Sequence, residues 1–100
     1  MIKHIVMWKL KEIAEGHGKL ENARIIKTEL ELLKDEISEI IDIEVGINVV
    51  EDAQAYDVVL YSTFKNKEDL NRYQINPSHV KVAGFIGKVR ESRVVVDYEI

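Results

Sequence analysis

The segment Tyr73-Gln74-Ile75-Asn76-Pro77-Ser78-His79-Val80 decides how the second half of the chain is built. Pro77 is the only proline. It disfavours αR geometry at the residue before it, so a helix arriving from upstream stops by Ile75. Asn76 then becomes a natural N-cap, with Pro77 at the first position of a new helix, where a missing N–H costs nothing. The arriving helix has its own cap in Asn66, followed by Glu68 and Asp69 at the positive end of the helix dipole. The departing helix carries His79, Val82, Ala83 and Ile86 on one stripe. One helical region therefore reads as two helices that meet at Asn76.

On both sides of this pair the apolar period is two, the period of strands. Upstream, Tyr56 to Phe64 puts Tyr56, Val58, Leu60, Ser62 and Phe64 on one face and Asp57, Val59, Tyr61 and Thr63 on the other. Before it, Ile41 to Val50 alternates as Ile41, Ile43, Val45, Ile47 and Val49, with Gly46 marking a bulge or a close approach. Lys19 to Ile40 has a helical period instead, through Leu20, Ala23, Ile26, Leu30, Leu33, Ile37 and Ile40. Ile2 to Lys11 reads as a strand with Ile2, His4, Val6, Trp8 and Leu10 on one face, followed by a loop with Gly16 and Gly18. Downstream, Arg93 to Glu99 alternates as the last strand. The order matches the ferredoxin-like βαββαβ plan, an α+β fold with a four-stranded antiparallel sheet and helices on one face only.

Such a sheet has a second face. The bulkier side, with His4, Trp8 and Phe64, is assigned to the helices. The other then presents Ile5, Met7, Val59, Tyr61 and Val95 among Lys9, Asp57, Arg93 and Asp97. An apolar patch of this kind marks an interface. The expected partner is a second copy, a homodimer with its exposed sheet faces about 10 Å apart. Asp57, Tyr61, Arg93 and Asp97 read as interface groups that set its register. The competing reading is a mixed, wet surface on a monomer.

Composition mainly excludes. One hundred residues, 46% of them hydrophobic, make one globular domain spanning residues 1–100. With no cysteine there is no disulfide framework and no thiol nucleophile, and a cytoplasmic, reducing compartment is expected. The apolar runs, such as Ile5-Val6-Met7-Trp8, fall far short of the ~18 residues that mark a membrane helix, and the N-terminus does not resemble a signal peptide. A net charge of -4 without a basic cluster gives nucleic acid nothing to bind. The three histidines lack metal-site spacing and there is no Gly-rich phosphate loop, so neither a metal nor a cofactor is expected.

His79, near the third position of its helix, faces the positive end of the dipole, which favours neutral imidazole. Neutral imidazole is the form a general base requires. Tyr73 shares a face with Leu70, and its ring can meet His79 across the turn at Asn76. A Tyr–His pair can take a proton α to a carbonyl and polarise the oxyanion that develops. His4 faces the same side as Trp8 and could donate to a carbonyl. Each has a bland counterpart: a histidine bonded to a carbonyl, or a tyrosine in the core. Trp8 is either core or one wall of a pocket with Phe64, Tyr73 and Phe85. Gly84 and Gly87 either let the last helix approach closely or leave room beside the sheet. His17, between Gly16 and Gly18, is given no role.

Taken together, His4-Ile5-Val6-Met7-Trp8-Lys9, Tyr56 to Phe64, Tyr73 to Val80 and Val96-Asp97-Tyr98 resemble the stress-responsive A/B barrel family, also called dimeric α-β barrel proteins. The resemblance spans the chain. It implies a homodimer whose two sheets close a central barrel with helices outside. One plant member, olivetolic acid cyclase, closes a linear polyketide by aldol condensation without a cofactor. Its site resembles Tyr73, His79 and His4 here, while a second strand histidine of that enzyme falls at Val58, where this sequence departs. The resemblance thus implies a small homodimeric protein holding a small molecule between sheet and helices. A cofactor-free cyclase or proton-transfer enzyme is the alternative. A weaker one is the cofactor-independent monooxygenases, which share the barrel plan. Trp8, Val58, Phe64 and Phe85 are the expected ligand contacts.

Overall fold

A computed structural model describes all 100 residues. The elements are β1 (Ile2–Leu10), β2 (Ile13–Ala14), β3 (His17–Gly18), α1 (Lys19–Glu36), β4 (Asp42–Ile47), β5 (Val58–Phe64), α2 (Lys67–Ile75), α3 (Pro77–Val89) and β6 (Arg90–Glu99). The main sheet has the order β4-β5-β1-β6 with every neighbour antiparallel. This is the expected α+β, ferredoxin-like arrangement. β1 lies inside the sheet, and its inward residues Ile2, His4, Val6, Trp8 and Leu10 are all buried. They pack with Leu60 and Phe64 of β5 against Ala23, Ile26, Leu30 and Leu33 of α1. Burying each large aliphatic side chain contributes about 1.5–3 kcal/mol.

The caps explain where the helices start. The Asn66 side chain accepts from Asp69 N–H at 2.9 Å. Asn76 closes α2 by donating its N–H to the Tyr73 carbonyl at 3.2 Å. It also opens α3, its side chain accepting from Ser78 N–H at 2.9 Å. α1 ends earlier than its apolar period implies. Ile37 leaves helical geometry and donates to the Leu33 carbonyl at 2.8 Å, yet Ile37 and Ile40 remain buried. Periodicity reports burial, and burial continues past the end of the helix. Leu20, expected on the core stripe, is 53% exposed in the first turn.

The expected loop at Gly16 contains a small hairpin, β2–β3. Glu15 (φ 51°) and Gly16 (φ 79°) both adopt left-handed geometry, which suits a two-residue connection between twisted strands. Gly46 marks a close approach and no bulge. The β4–β5 register runs unbroken, and a Cβ at Gly46 would lie 3.2 Å from Val59 Cγ1.

β6 corrects the assignment of the outer face. Val94 pairs with Met7 and Val96 with Ile5, so Val94 and Val96 lie on the outer side. Arg93, Val95 and Asp97 pair with Trp8, Val6 and His4 and lie on the helix side. Valine occupies both parities of Val94-Val95-Val96, so hydrophobicity could not set the phase. Asp57 is also engaged otherwise than expected. It accepts from Leu10 N–H at 2.8 Å and lies 3.6 Å from the Lys19 ammonium, tying the end of β1 to α1.

α1 also clips the β4 edge. Glu31 accepts from Val45 N–H at 3.1 Å, and Lys27 donates to the Val45 carbonyl at 2.7 Å and to Glu31 at 2.8 Å. No helix is long and apolar enough to cross a membrane.

Candidate functional site

Between the sheet and α3 lies a cavity of about 330 Å³, within the range of small-molecule sites. Its floor is formed by His4, Val6 and Trp8 of β1, Leu60 of β5 and Leu30 of α1, all buried. Ile86 and the half-buried His79 form the α3 wall. Ala83, Gly87, Arg90 and Arg93 form an exposed rim. The stripe that begins at His79 therefore turns inward as its spacing requires, except that Ala83 sits at the rim. A Cβ added to Gly84 or Gly87 would meet nothing within 4 Å. The glycines leave space beside α3 and serve no close contact.

His4 is 2% exposed, and its Nδ1 is hydrogen-bonded to an oxygen of Asp97, directly across the sheet. A carboxylate accepts, so Nδ1 donates the proton of this bond and the ring is held in one orientation. Asp97, read from the sequence as facing away, is thus the residue that orients His4. Its signal was its place on the last strand, usable only with the β1–β6 register in hand.

His79 lies 3.0 Å through Nδ1 from the Gln74 carbonyl, which can only accept. In the neutral ring its Nε2 lone pair is therefore free. Burial lowers the His79 pKa below its usual 6.5. Repulsion from His4 and Arg93 adds to this, and the Gln74 hydrogen bond opposes it. The neutral form expected from the sequence holds, although burial is the leading cause. Because the folded pKa is depressed, this group stabilises the fold above the unfolded value of about 6.5, and that stability is lost as pH falls through the lower folded pKa. Urea midpoints of wild type and His79→Gln should converge as pH is lowered through that window. Parallel pH curves would show that His79 is not the titrating group.

Tyr73 is fully buried, and its ring centroid lies 4.4 Å from His79, 4.9 Å from Phe64 and 6.3 Å from His4. The rings do meet across the Asn76 turn, but Tyr73 stands behind His79 and does not line the cavity. Its hydroxyl has no hydrogen-bond partner in the chain, and burial raises its pKa, so it stays a neutral phenol.

Of the expected ligand contacts, the structure brings only Trp8 to the cavity. Phe64 pairs with Ile2 at the far end of β1 and packs on Tyr73. Val58 is buried opposite Trp8 without reaching the opening. Phe85 precedes Ile86 and is rotated about 100° around α3 from it. Arg90 was missed, and Arg93 was assigned to the wrong face. Both lie on β6, whose phase the sequence did not determine.

An antiparallel ferredoxin-like sheet with a helix-covered cavity defines the general class. The chain belongs to the stress responsive A/B barrel domain family, whose model matches residues 2–100. It is 30% identical over 98 residues to the stress-response A/B barrel domain-containing protein DABB1 of Arabidopsis thaliana, covering 98% of this chain and 46% of that protein. The chain therefore spans about half the length of that relative. A dimeric protein of unknown function from Bacteroides fragilis, with a ferredoxin-like fold, matches at 32% identity and a TM-score of 0.78, covering 99% of this chain and 95% of that one. A hydroxynitrile lyase from Passiflora edulis shares the fold at 19% identity and a TM-score of 0.82, covering 99% and 92%.

Proposed function

We propose that this chain is a homodimeric protein that binds a small molecule in the cavity between sheet and helices. The cavity itself carries the reading: about 330 Å³, with an apolar floor of Val6, Trp8, Leu30 and Leu60 and two histidines lining the same space. Apolar walls supply affinity and a few polar groups fix orientation. The dimer would form through the outer sheet face, where Ile5, Met7, Val94 and Val96 line one apolar depression. The relative from Bacteroides fragilis is described as dimeric, which agrees.

Trp8 is the only tryptophan, so its fluorescence reports occupancy of the cavity. Titration with 1-octanol should change that fluorescence saturably. Gly87→Leu, which places a side chain in the open mouth, should weaken the response at least about tenfold, the cost of roughly 1.4 kcal/mol of lost contact or added strain. An unchanged response in the variant would remove the cavity as the site.

A second reading is cofactor-free proton transfer next to a carbonyl. It is favoured by His79, whose Nδ1 is bonded to the Gln74 carbonyl and whose Nε2 is left as a base in the cavity that His4 also lines. One base could take the proton from carbon while the electron pair moves onto the carbonyl oxygen. The hydroxynitrile lyase relative indicates that this fold accommodates enzymes. Full turnover of a β-keto thioester by a His79→Ala variant would rule His79 out as the base.

A further inference from the structure

We infer that the ligand of this cavity carries a carboxylate on an apolar body, held at the mouth by Arg90 and Arg93. The inference rests on the small-molecule reading above and names its ligand class. Both arginines line one cavity, Arg93 opposite Trp8 and Arg90 opposite Leu10 in the β1–β6 ladder. No acidic side chain lines that cavity. Neither arginine takes part in any salt bridge of the chain or donates any of its side-chain hydrogen bonds. Three cations of the chain are salt-bridged, Lys19 with Glu12, Lys27 with Glu31 and Arg72 with Asp69; others, such as Arg24 and Lys81, have no partner either, and what sets Arg90 and Arg93 apart is that they line one cavity. Glu91, which stands between them on β6, forms a salt bridge with neither and does not line the cavity, and Asp97 is taken by His4.

Arginine presents a planar fork of donors that matches a carboxylate in two parallel hydrogen bonds. Two such forks over an apolar floor define a polar end and an apolar end, and so the direction in which a ligand enters. The charge state can be narrowed further. Arg90 follows directly on α3, donating its N–H to the Ile86 carbonyl, so the negative end of that helix lies at the same rim. That end already offsets part of the arginine charge and disfavours a dianion. A singly charged carboxylate fits better than a phosphate monoester.

The test compares three probes of one chain length by Trp8 fluorescence: octanoate, 1-octanol and octyl phosphate. Octanoate should bind about tenfold more tightly than 1-octanol at low salt, as a charge-assisted contact at a partly exposed rim allows. High salt should erode that preference while sparing 1-octanol. In the double variant Arg90→Gln/Arg93→Gln the preference should vanish and 1-octanol binding should persist, which also shows that the variant is folded. Equal affinity for octanoate and 1-octanol in the wild type would overturn the inference while leaving the cavity reading intact. So would a preference that survives the double variant. Tighter binding of octyl phosphate would replace the carboxylate by a phosphate. No saturable response to any probe would overturn the inference and the cavity reading together.

Discussion

Replacing Tyr73 by alanine is expected to remove about 3–5 kcal/mol of stability, while phenylalanine at the same position is expected to add about 1 kcal/mol. Tyr73 is fully buried, with its ring between Phe64 and His79. Truncation leaves a hole that the β1 floor and α2 cannot close, because both are held by the sheet and by the Asn66 and Asn76 caps. Against a typical total of about 5–15 kcal/mol, the alanine variant is near the edge of folding. Phenylalanine keeps the volume and removes a hydroxyl that was desolvated without a partner. Such an orphan costs about 1–3 kcal/mol, and its removal returns part of that. Urea midpoints of the three proteins check both effects. A Tyr73→Phe variant clearly less stable than wild type would show that the hydroxyl is satisfied in solution.

Placing a carboxylate on the outer sheet face is expected to dissociate the proposed dimer. Met7 lies on the middle strands, opposite Val59 on β5 and Val94 on β6. In a face-to-face dimer Met7→Asp would bury a charge among apolar neighbours. A central position of this kind costs at least about 2 kcal/mol, roughly thirtyfold in the dissociation constant. The side chain is 38% exposed in the single chain, so the variant should fold. Light scattering should then report the 11.5 kDa species at concentrations where the wild type is twice that mass. Val49→Asp, at a position 92% exposed in the connection between β4 and β5, serves as a control that should leave assembly unchanged. A Met7→Asp protein that remains dimeric would place the interface elsewhere.

The sequence made most of the fold legible because its local signals agree. Pro77 with Asn76, and Asn66 with Asp69, mark helix starts by a stated chemistry, and the structure shows those hydrogen bonds. β1 and β5 alternate between large apolar and other side chains, so their inward faces could be read directly. β6 could not be read in the same way. Three consecutive valines carry no parity, and one strand out of phase sends Arg93 and Asp97 to the wrong side of the sheet. The same ambiguity hid the most informative part of the site. Asp97 orients His4, and Arg90 and Arg93 rim the cavity, only because of a pairing between residues eighty or more positions apart. His79 and Tyr73 sit six positions apart, within reach of helix geometry, and their proximity could be anticipated.

The clip between α1 and β4 bears on how a sheet edge is closed to fibril growth. The edge of a sheet offers unpaired backbone groups to any extended chain that drifts by, and aggregation commonly begins there. At Val45 both groups are already taken, the N–H by Glu31 and the carbonyl by Lys27. Nearby, Lys34 holds the Ile41 carbonyl at 2.6 Å. An incoming strand would have to displace ammonium and carboxylate side chains before it could pair. The opposite edge, β6, carries Arg90, Glu91, Arg93, Asp97 and Glu99, so a strand joining it would meet charged side chains toward both ends. With both margins guarded, the flat of the sheet is the surface left for the proposed dimer, where contact would be saturated by one partner and could not grow without limit.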